Sequence, residues 1–417
     1  MHHFHYHNNC MYCEDVPVPE IAQKTGTPFY LYSHATLRHH FLVFQKAFEG
    51  IPHLICFSVK ANSNIAVLRL FGNLGGGLDI VSGGELFRGL KAGIPPEKIV
   101  FSGVGKRRDE IVYALKSGIL MFNVESHQEL ELIDRCAARL NKKAPISLRV
   151  NPDVDPGTHP YISTGLKTNK FGLSEAEAIE AYRWAGGRPY LSVIGISCHI
   201  GSQLTEVDPF LDALRHVKDL IAVLNASGIS VTYLDLGGGL GITYDQESPP
   251  LPSEYGKAIL ETLGDSAFTL ILEPGRVIVG NAGILVTRVL YTKKSEGKDF
   301  VIVDSAMNDL VRPSLYGAYH AIEPVIKDPS GTIRADIVGP ICESGDFLAR
   351  DRKIPEVQPG DLLAIMSAGA YGFTMSSNYN SRPRIPEVMV KGNQFYIIRR
   401  RESHQDLIAG ESIPDFL

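Results

Sequence analysis

The sequence predicts an α/β protein that combines a (β/α)8 barrel with an all-β domain, to which an N-terminal strand also belongs. Two observations lead to this fold class. Strand-like runs alternate eight times with helical stretches between about residues 54 and 280, and short runs rich in β-branched residues follow Arg276. The expected domains are residues 34–280 for the barrel, and residues 1–33 with 281–417 for the β-domain.

The barrel is predicted from the order and spacing of its elements. Its expected strands begin near Leu54, Leu78, Ile99, Leu120, Ile146, Val193, Val231 and Leu270. Helix signals lie between them, because Ser126 and Ser174 each open a capping box and Asp208 is expected to cap a helix that starts with proline. Eight such units favour a closed barrel over a doubly wound sheet. The aromatic segment Pro28–Tyr32 precedes the first unit and is assigned to the β-domain.

Composition excludes several classes of function. The net charge is -5 and no long block of one sign occurs, so a nucleic-acid surface is not expected. No apolar run approaches the ~20 residues that a membrane span needs. The segment Met1–His7 lacks the apolar region of a signal peptide, and the expected location is the cytoplasm.

Six cysteines in this length do not form a disulfide framework. Cys10 and Cys13 make a C-x-x-C pair beside several histidines, which is compatible with a metal or redox site or with a polar N-terminal segment. No second pair of cysteines follows, so the second interpretation is favoured and no metal is expected.

Active sites of such barrels lie at the carboxyl ends of the strands. The candidates at these ends are Lys60, Asp79, Ser82, Ser102, Asn123, Glu125, Arg149, Asn151, His199, Gly201, Ser202, Gly237–Gly239 and Glu273–Arg276. A buried lysine loses its proton readily and can then form a Schiff base with a carbonyl. A lysine, a histidine, a glycine turn and a Glu with an Arg together indicate a cofactor that bears a phosphate.

The glycine turn has a specific physical use. Gly237, Gly238 and Gly239 allow backbone N–H groups to approach an anion, because no Cβ stands in the way. An ordinary tight turn is the simpler interpretation, and a dinucleotide fingerprint is a third. The spacing Gly237, Gly239, Gly241 is not G-x-G-x-x-G and occurs in the seventh unit, which disfavours the dinucleotide site.

Several motifs carry a resemblance to a known family. The stretches Phe57–Asn62, Cys198–Gln203, Leu236–Gly239 and Glu273–Arg276 resemble the pyridoxal-phosphate decarboxylases with an alanine-racemase-like barrel. A second set of stretches resembles the members that act on diaminopimelate: His159–Gly165, Lys170–Gly172, Gly339–Asp346 and Tyr379–Pro383. The resemblance implies decarboxylation of meso-2,6-diaminopimelate to L-lysine and CO2, the last step of lysine biosynthesis.

The resemblance also implies roles around pyridoxal 5'-phosphate. Lys60 would bind the cofactor's aldehyde, His199 would stack on its ring, and Glu273 would bond the ring nitrogen. The phosphate would be held by Gly237–Gly239, Ser202 and Arg276, with Pro274 and Gly275 in the same turn. Cys342 would return a proton to the substrate carbon.

Substrate contacts are implied in the same way. Arg312, Tyr316 and Arg276 would bind the distal carboxylate, Glu343 the distal ammonium, and Tyr371 both cofactor and substrate. In this family Cys342 and Glu343 reach the cofactor of a neighbouring subunit, which implies a homodimer with shared active sites.

Several alternatives stay open at this point. One is the same chemistry on another basic amino acid or polyamine precursor, such as ornithine, arginine or carboxynorspermidine. The others are a racemase of the same fold and a cofactor carrier without catalysis.

Overall fold

The computed structural model describes residues 2–154, 169–265, 267–328 and 331–417. The expected motif His159–Gly165 lies outside these residues. The chain divides into two compact units. The barrel unit comprises His40–Thr243 and Glu247–Ile278, and the β unit comprises Met1–His39, Tyr244–Gln246 and Val279–Leu417.

The strands in chain order are β1 Phe4–His7, β2 Cys10–Cys13, β3 Val16–Pro17, β4 Phe29–Ser33, β5 His53–Ser58, β6 Gly77–Ile80, β7 Ile99–Phe101, β8 Met121–Val124, β9 Ala144–Arg149, β10 Leu191–Ser197, β11 Tyr233–Asp235, β12 Thr269–Leu272, β13 Gly283–Ser295, β14 Lys298–Val303, β15 Ile322–Pro324, β16 Thr332–Val338, β17 Phe347–Pro355, β18 Leu362–Ile365, β19 Glu387–Lys391 and β20 Gln394–Arg399. The α-helices are α1 Val18–Thr25, α2 His34–Lys46, α3 Ile65–Asn73, α4 Gly83–Lys91, α5 Arg108–Ser117, α6 His127–Leu140, α7 Glu175–Gly186, α8 Asp208–Ala226, α9 Pro252–Leu263, α10 Arg276–Val279, α11 Arg312–Tyr316 and α12 His404–Leu407.

The barrel unit contains a closed parallel barrel. Its strand order is β10-β11-β12-β5-β6-β7-β8-β9, and pairing of β12 with β5 closes the ring, with Ile271 opposite Leu54. These strands are largely buried, as expected for a parallel sheet covered by helices. The predicted (β/α)8 barrel is therefore confirmed.

Local capping signals explain where several barrel helices begin. The hydroxyl Oγ of Ser126 accepts the N–H of Glu129 at 3.2 Å, and Ser174 forms the predicted capping box with Glu177. The expectation for Asp208 is wrong by one residue. Helix α8 begins at Asp208 itself and Val207 precedes it without a side-chain cap, so Asp208 contributes its charge to the first turn instead.

The β unit is built on a sheet with the order β17-β16-β14-β13-β4-β19-β20, and β18 pairs with both β13 and β15. The N-terminal strand β4 lies between β13, to which it is antiparallel, and β19, to which it is parallel. This confirms that the all-β domain takes in an N-terminal strand.

A small three-stranded sheet, β1-β2-β3, was not expected from the sequence. Phe4, Met11 and Cys13 point from it into a hydrophobic core of the β unit, because inward and outward positions alternate along a strand. All six cysteines are free. Within the described ranges, no group of three or more His, Cys, Asp or Glu side chains is arranged to bind a metal. No helix in the described part of the chain has the length and apolarity to cross a membrane.

Candidate active site

Lys60 lies at the carboxyl end of the barrel strands. Strand β5 ends at Ser58, and Lys60 follows in a short 3-10 turn, Val59–Ala61. Its Nζ forms an ion pair with Asp79 Oδ2 from the neighbouring strand β6. Asp79 is fully buried, the Lys60 side chain is 37% exposed, and Ser58 Oγ donates to the same carboxylate oxygen at 2.8 Å. The amine is therefore held at the barrel mouth and reaches solvent.

Glu273 follows β12 and lies inside the barrel, 7% exposed. Its Oε1 accepts from Ser102 Oγ and from Asn123 Nδ2, both at 3.3 Å. Burial raises the pKa of Glu273 well above its usual range, and the nearby carboxylates of Asp235 and Asp79 raise it further. This carboxyl is therefore prepared to hold or exchange a proton.

His199 is neutral in this environment. The N–H of Gly238 donates to His199 Nδ1 at 3.2 Å, so in the neutral ring the proton lies on Nε2. Desolvation lowers the pKa of His199 well below its usual value, and the positive charges of Arg149 and Lys60 lower it further. Arg149 Nη2 also donates to the backbone carbonyl of His199 at 3.2 Å, which fixes the chain at this point.

The glycine turn packs against the segment that carries His199. A Cβ on Gly237 would come within 2.7 Å of His199 Nδ1, one on Gly238 within 2.1 Å of the carbonyl oxygen of Glu273, and one on Gly239 within 2.7 Å of the carbonyl oxygen of Gly201. Gly237 and Gly239 also have positive φ, +66° and +125°. Space therefore requires glycine at all three positions, and conformation requires it also at Gly237 and Gly239.

Two groups suited to a phosphate lie close together at the same strand ends. Arg276 is buried, and its Nη2 donates to Ser202 Oγ at 3.0 Å. The N–H of Gly237 donates to Asp235 Oδ1 at 2.9 Å, so that donor is engaged within the barrel. The barrel unit thus brings together Lys60, His199, Ser202, Gly237–Gly239, Glu273, Pro274, Gly275 and Arg276.

Arg312 lies in the β unit at the start of α11 and is 6% exposed. The rings of Tyr244 and Tyr316 lie 5.1 and 5.9 Å from its guanidinium carbon. Its Nε donates to His320 Nε2 at 3.3 Å, and the other ring nitrogen of His320 lies 2.8 Å from the carbonyl oxygen of Met366. That second bond places the ring proton on Nδ1 and leaves Nε2 as the acceptor.

Cys342 and Glu343 are exposed on the β unit. The N–H of Cys342 donates to Asn380 Oδ1 at 3.0 Å. The hydroxyl of Tyr379 donates to Glu343, which raises the pKa of Tyr379. Tyr371, also in this unit, has φ +56°, an uncommon conformation that clusters at functional sites.

Sequence reasoning missed several residues of these networks. Asp235 is fully buried among the strand ends, yet in the sequence it lies between Leu234 and Leu236 and looks like part of an apolar strand. Its position directly before the glycine turn was the available signal. His320 and Tyr244 had no signal, because their contacts with Arg312 arise from folding.

Comparisons with known proteins identify the family. Residues 34–280 match the family model described as pyridoxal-dependent decarboxylase, pyridoxal binding domain. The diaminopimelate decarboxylase of Pseudomonas aeruginosa is 54% identical over 410 residues, which cover 98% of this chain and 99% of that protein. The enzyme of Vibrio cholerae is 52% identical over 415 residues, 99% of each chain.

Solved structures agree with this assignment. Diaminopimelate decarboxylase from Helicobacter pylori, complexed with L-lysine, superposes with a TM-score of 0.91 at 47% identity and covers 94% of this chain and 98% of its own. The enzyme from M. jannaschii, in co-complex with L-lysine, gives 0.95 at 38% identity, covering 99% and 98%. With half of its residues identical over its full length, this chain belongs to the diaminopimelate decarboxylases, within the pyridoxal-dependent decarboxylase family.

Proposed function

We propose that this protein decarboxylates meso-2,6-diaminopimelate to L-lysine and CO2 with pyridoxal 5'-phosphate as cofactor. The observation that carries the proposal is the 54% identity to a diaminopimelate decarboxylase over nearly the whole of both chains. Solved relatives that bind L-lysine, the product of this reaction, support it.

The residues of the barrel unit fit the cofactor. A phosphate needs cationic and hydroxyl donors beside a backbone without side chains, and Arg276, Ser202 and Gly237–Gly239 supply them. A pyridine nitrogen needs a carboxyl partner, and Glu273 is buried at the strand ends. An aldehyde needs an amine, and Lys60 is held there by Asp79. The roles of all these residues, including Lys60 and Glu273, stay predictions.

When bound, pyridoxal phosphate would supply an aldehyde for the substrate's amine and a ring that can accept an electron pair. Lys60 would hold the aldehyde, and Glu273 would hold a proton at the ring nitrogen. His199, as a neutral imidazole, would cover one face of the ring without adding a positive charge that would oppose the ring's own.

The substrate carries a second ammonium and carboxylate at its distal end. We assign the carboxylate to Arg312, with Tyr316 and Arg276, because a guanidinium binds carboxylate in a bidentate fork. The Tyr244 and Tyr316 rings and His320 already fix the Arg312 side chain. Glu343 receives the distal ammonium, and Tyr371 contacts both cofactor and substrate.

Cys342 would hold, at its Sγ, the proton that the substrate carbon takes up. We propose that Cys342 and Glu343 act in the site of a second subunit, so that the protein is a homodimer with shared sites. Their exposure on the single chain supports this arrangement.

We also propose a cytoplasmic location. Six free cysteines support it, since disulfides form in oxidising compartments. Cell fractionation should recover the decarboxylase with cytosolic markers, and recovery with an extracytoplasmic fraction would overturn the assignment.

The activity is tested by product analysis. The purified protein is offered diaminopimelate, lysine, ornithine and arginine in parallel, with and without added pyridoxal phosphate. We expect cofactor-dependent CO2 and lysine from diaminopimelate alone. Faster turnover of ornithine, arginine or lysine would overturn the substrate assignment.

Shared sites are tested by mixing inactive Lys60→Ala and Cys342→Ala subunits. A hybrid dimer then holds one site with both defects and one with neither, so up to about half the native activity per hybrid should return. If mass spectrometry shows subunit exchange and no activity returns, Cys342 acts within its own chain.

A further inference from the structure

A second buried carboxyl lies beside Glu273. Asp235 ends β11, Glu273 follows the neighbouring strand β12, and Asp235 is fully buried. Asn123 Nδ2 lies 2.8 Å from Asp235 Oδ2 and 3.3 Å from Glu273 Oε1. Asn123 Nδ2 therefore donates to both carboxyls, which lie beside each other inside the barrel. Two neighbouring buried carboxyls disfavour double ionisation, so one of them keeps a proton.

The surrounding donors decide which carboxyl is the anion. Both oxygens of Asp235 accept hydrogen bonds, Oδ1 from the N–H of Gly237 at 2.9 Å and Oδ2 from Asn123. Glu273 accepts a 3.3 Å bond from Ser102 at Oε1. The stronger donors favour the charged form of Asp235, which leaves the proton on Glu273.

The pKa values of the two carboxyls follow the same order, with Asp235 the more acidic. Burial raises the pKa of Asp235 to about 6, against the two donors that lower it. Burial raises the pKa of Glu273 well above its usual range, and the charge of Asp235 is the next largest cause. The other titratable or charged groups around the pair are Cys56, Lys60, Asp79, Arg149, Cys198 and His199.

We propose that Asp235 is a positioning residue that lies beside Glu273 as an anion, so that the pair holds one proton on Glu273 before the cofactor binds. With the cofactor bound, this proton would be available to the ring nitrogen, and the Glu273 O–H bond would be exchanged for an N–H bond. The negative charges of Asp235 and Glu273 would then oppose loss of the proton to solvent. The inference rests on the proposed role of Glu273.

The test measures the pair in the cofactor-free protein. The carbonyl stretch of a protonated buried carboxyl is followed by infrared difference spectroscopy against pH. At neutral pH wild type should show one protonated carboxyl at this site, which Glu273→Gln removes. Below about pH 6 a second should appear as Asp235 takes up its proton.

Asp235→Asn removes the anion beside Glu273. The change favours the Glu273 carboxylate, so its titration midpoint should fall by at least about one pH unit, a tenfold change in proton affinity. The matched control is Asp134→Asn, which replaces another buried aspartate of the barrel unit that binds Arg188. Its spectrum should match wild type.

An unchanged midpoint in Asp235→Asn would overturn the proposal. The proposal would also be overturned if wild type showed no protonated carboxyl signal that Glu273→Gln removes. This second result does not depend on whether Asp235→Asn folds. A parallel assay of lysine formation by wild type separates the two ideas. If the Glu273 carboxyl is protonated as expected but no lysine forms, only the proposed function is contradicted. If lysine forms but that protonated carboxyl is absent, only this inference is contradicted.

Discussion

Replacing Glu125 by glutamine should loosen the carboxyl end of the barrel. The Glu125 side chain is 1% exposed and accepts three bonds, from Arg149 Nη1 at 2.8 Å, the N–H of Gly172 at 2.9 Å and the N–H of Gly103 at 3.1 Å. Glutamine keeps the shape but has a single acceptor oxygen. At least one backbone N–H then faces an amide NH2, and the Arg149 side chain, 10% exposed, loses its countercharge.

The expected loss follows from burial. Breaking one partner of a buried pair costs about 3–5 kcal/mol, because an uncompensated charge remains inside. The matched control is Glu131→Gln on α6. Its side chain is 42% exposed and pairs with Arg135 at 3.3 Å, four residues along the same helix. Such an exposed pair contributes about 0.3–0.5 kcal/mol.

Urea unfolding can be followed by the fluorescence of Trp184, which is the single tryptophan of the chain and lies on α7 of the barrel unit. The midpoint of Glu125→Gln should fall clearly below that of Glu131→Gln, and its Gly172 amide should exchange hydrogen faster. Arg149 also holds the His199 carbonyl, so cofactor affinity should fall in Glu125→Gln alone. Equal stability losses in the two variants would show that burial does not decide the strength of these pairs.

Three further substitutions address the site directly. Lys60→Ala should remove the visible absorbance of bound cofactor and abolish turnover while circular dichroism stays native, and cofactor trapped by borohydride on another lysine would contradict this. Glu273→Gln should retain cofactor but form lysine more slowly, with a loss of about 2–4 kcal/mol of transition-state stabilisation. Near-normal turnover would show that the ring does not need Glu273. Gly238→Ala should lose about 1–3 kcal/mol of stability and weaken cofactor binding, because its Cβ would lie 2.1 Å from the Glu273 carbonyl oxygen. The control is Gly186→Ala, whose Cβ would have no atom within 4 Å, and this variant should bind cofactor normally in a titration.

Much of the fold follows from the sequence because strand and helix periodicities are local. The predicted start at Ile99 matches the first residue of β7, and the start near Leu54 lies one residue inside β5. The start near Val231 is two residues early, since β11 begins at Tyr233. Such shifts are small, because a strand's ends depend on its neighbours while its apolar centre does not.

The N-terminal sheet shows where local patterns fail. The segment from Phe4 to His7 alternates histidines with aromatic residues, and the histidines made it look polar. In the structure the alternation is that of a two-sided hairpin, with Phe4 and Cys13 opposite each other and both buried. A strand only four residues long gives too few positions for the period to be recognised.

The individual residues at the strand ends could be predicted from the sequence, but the contacts between them could not. Lys60 and Glu273 were both visible as strand ends, although 213 residues separate them in the numbering. They belong to one site because β12 pairs with β5 when the barrel closes, which also brings the N–H of Ser58 to the carbonyl of Pro274 at 3.0 Å. A list of strand ends does not say which side chains meet, so it named Asp79 and Glu125 without pairing them with Lys60 and Arg149. Asp235 is a further case, because its neighbour Glu273 follows the next strand, β12, and nothing in the sequence around Asp235 shows that the two strands pair.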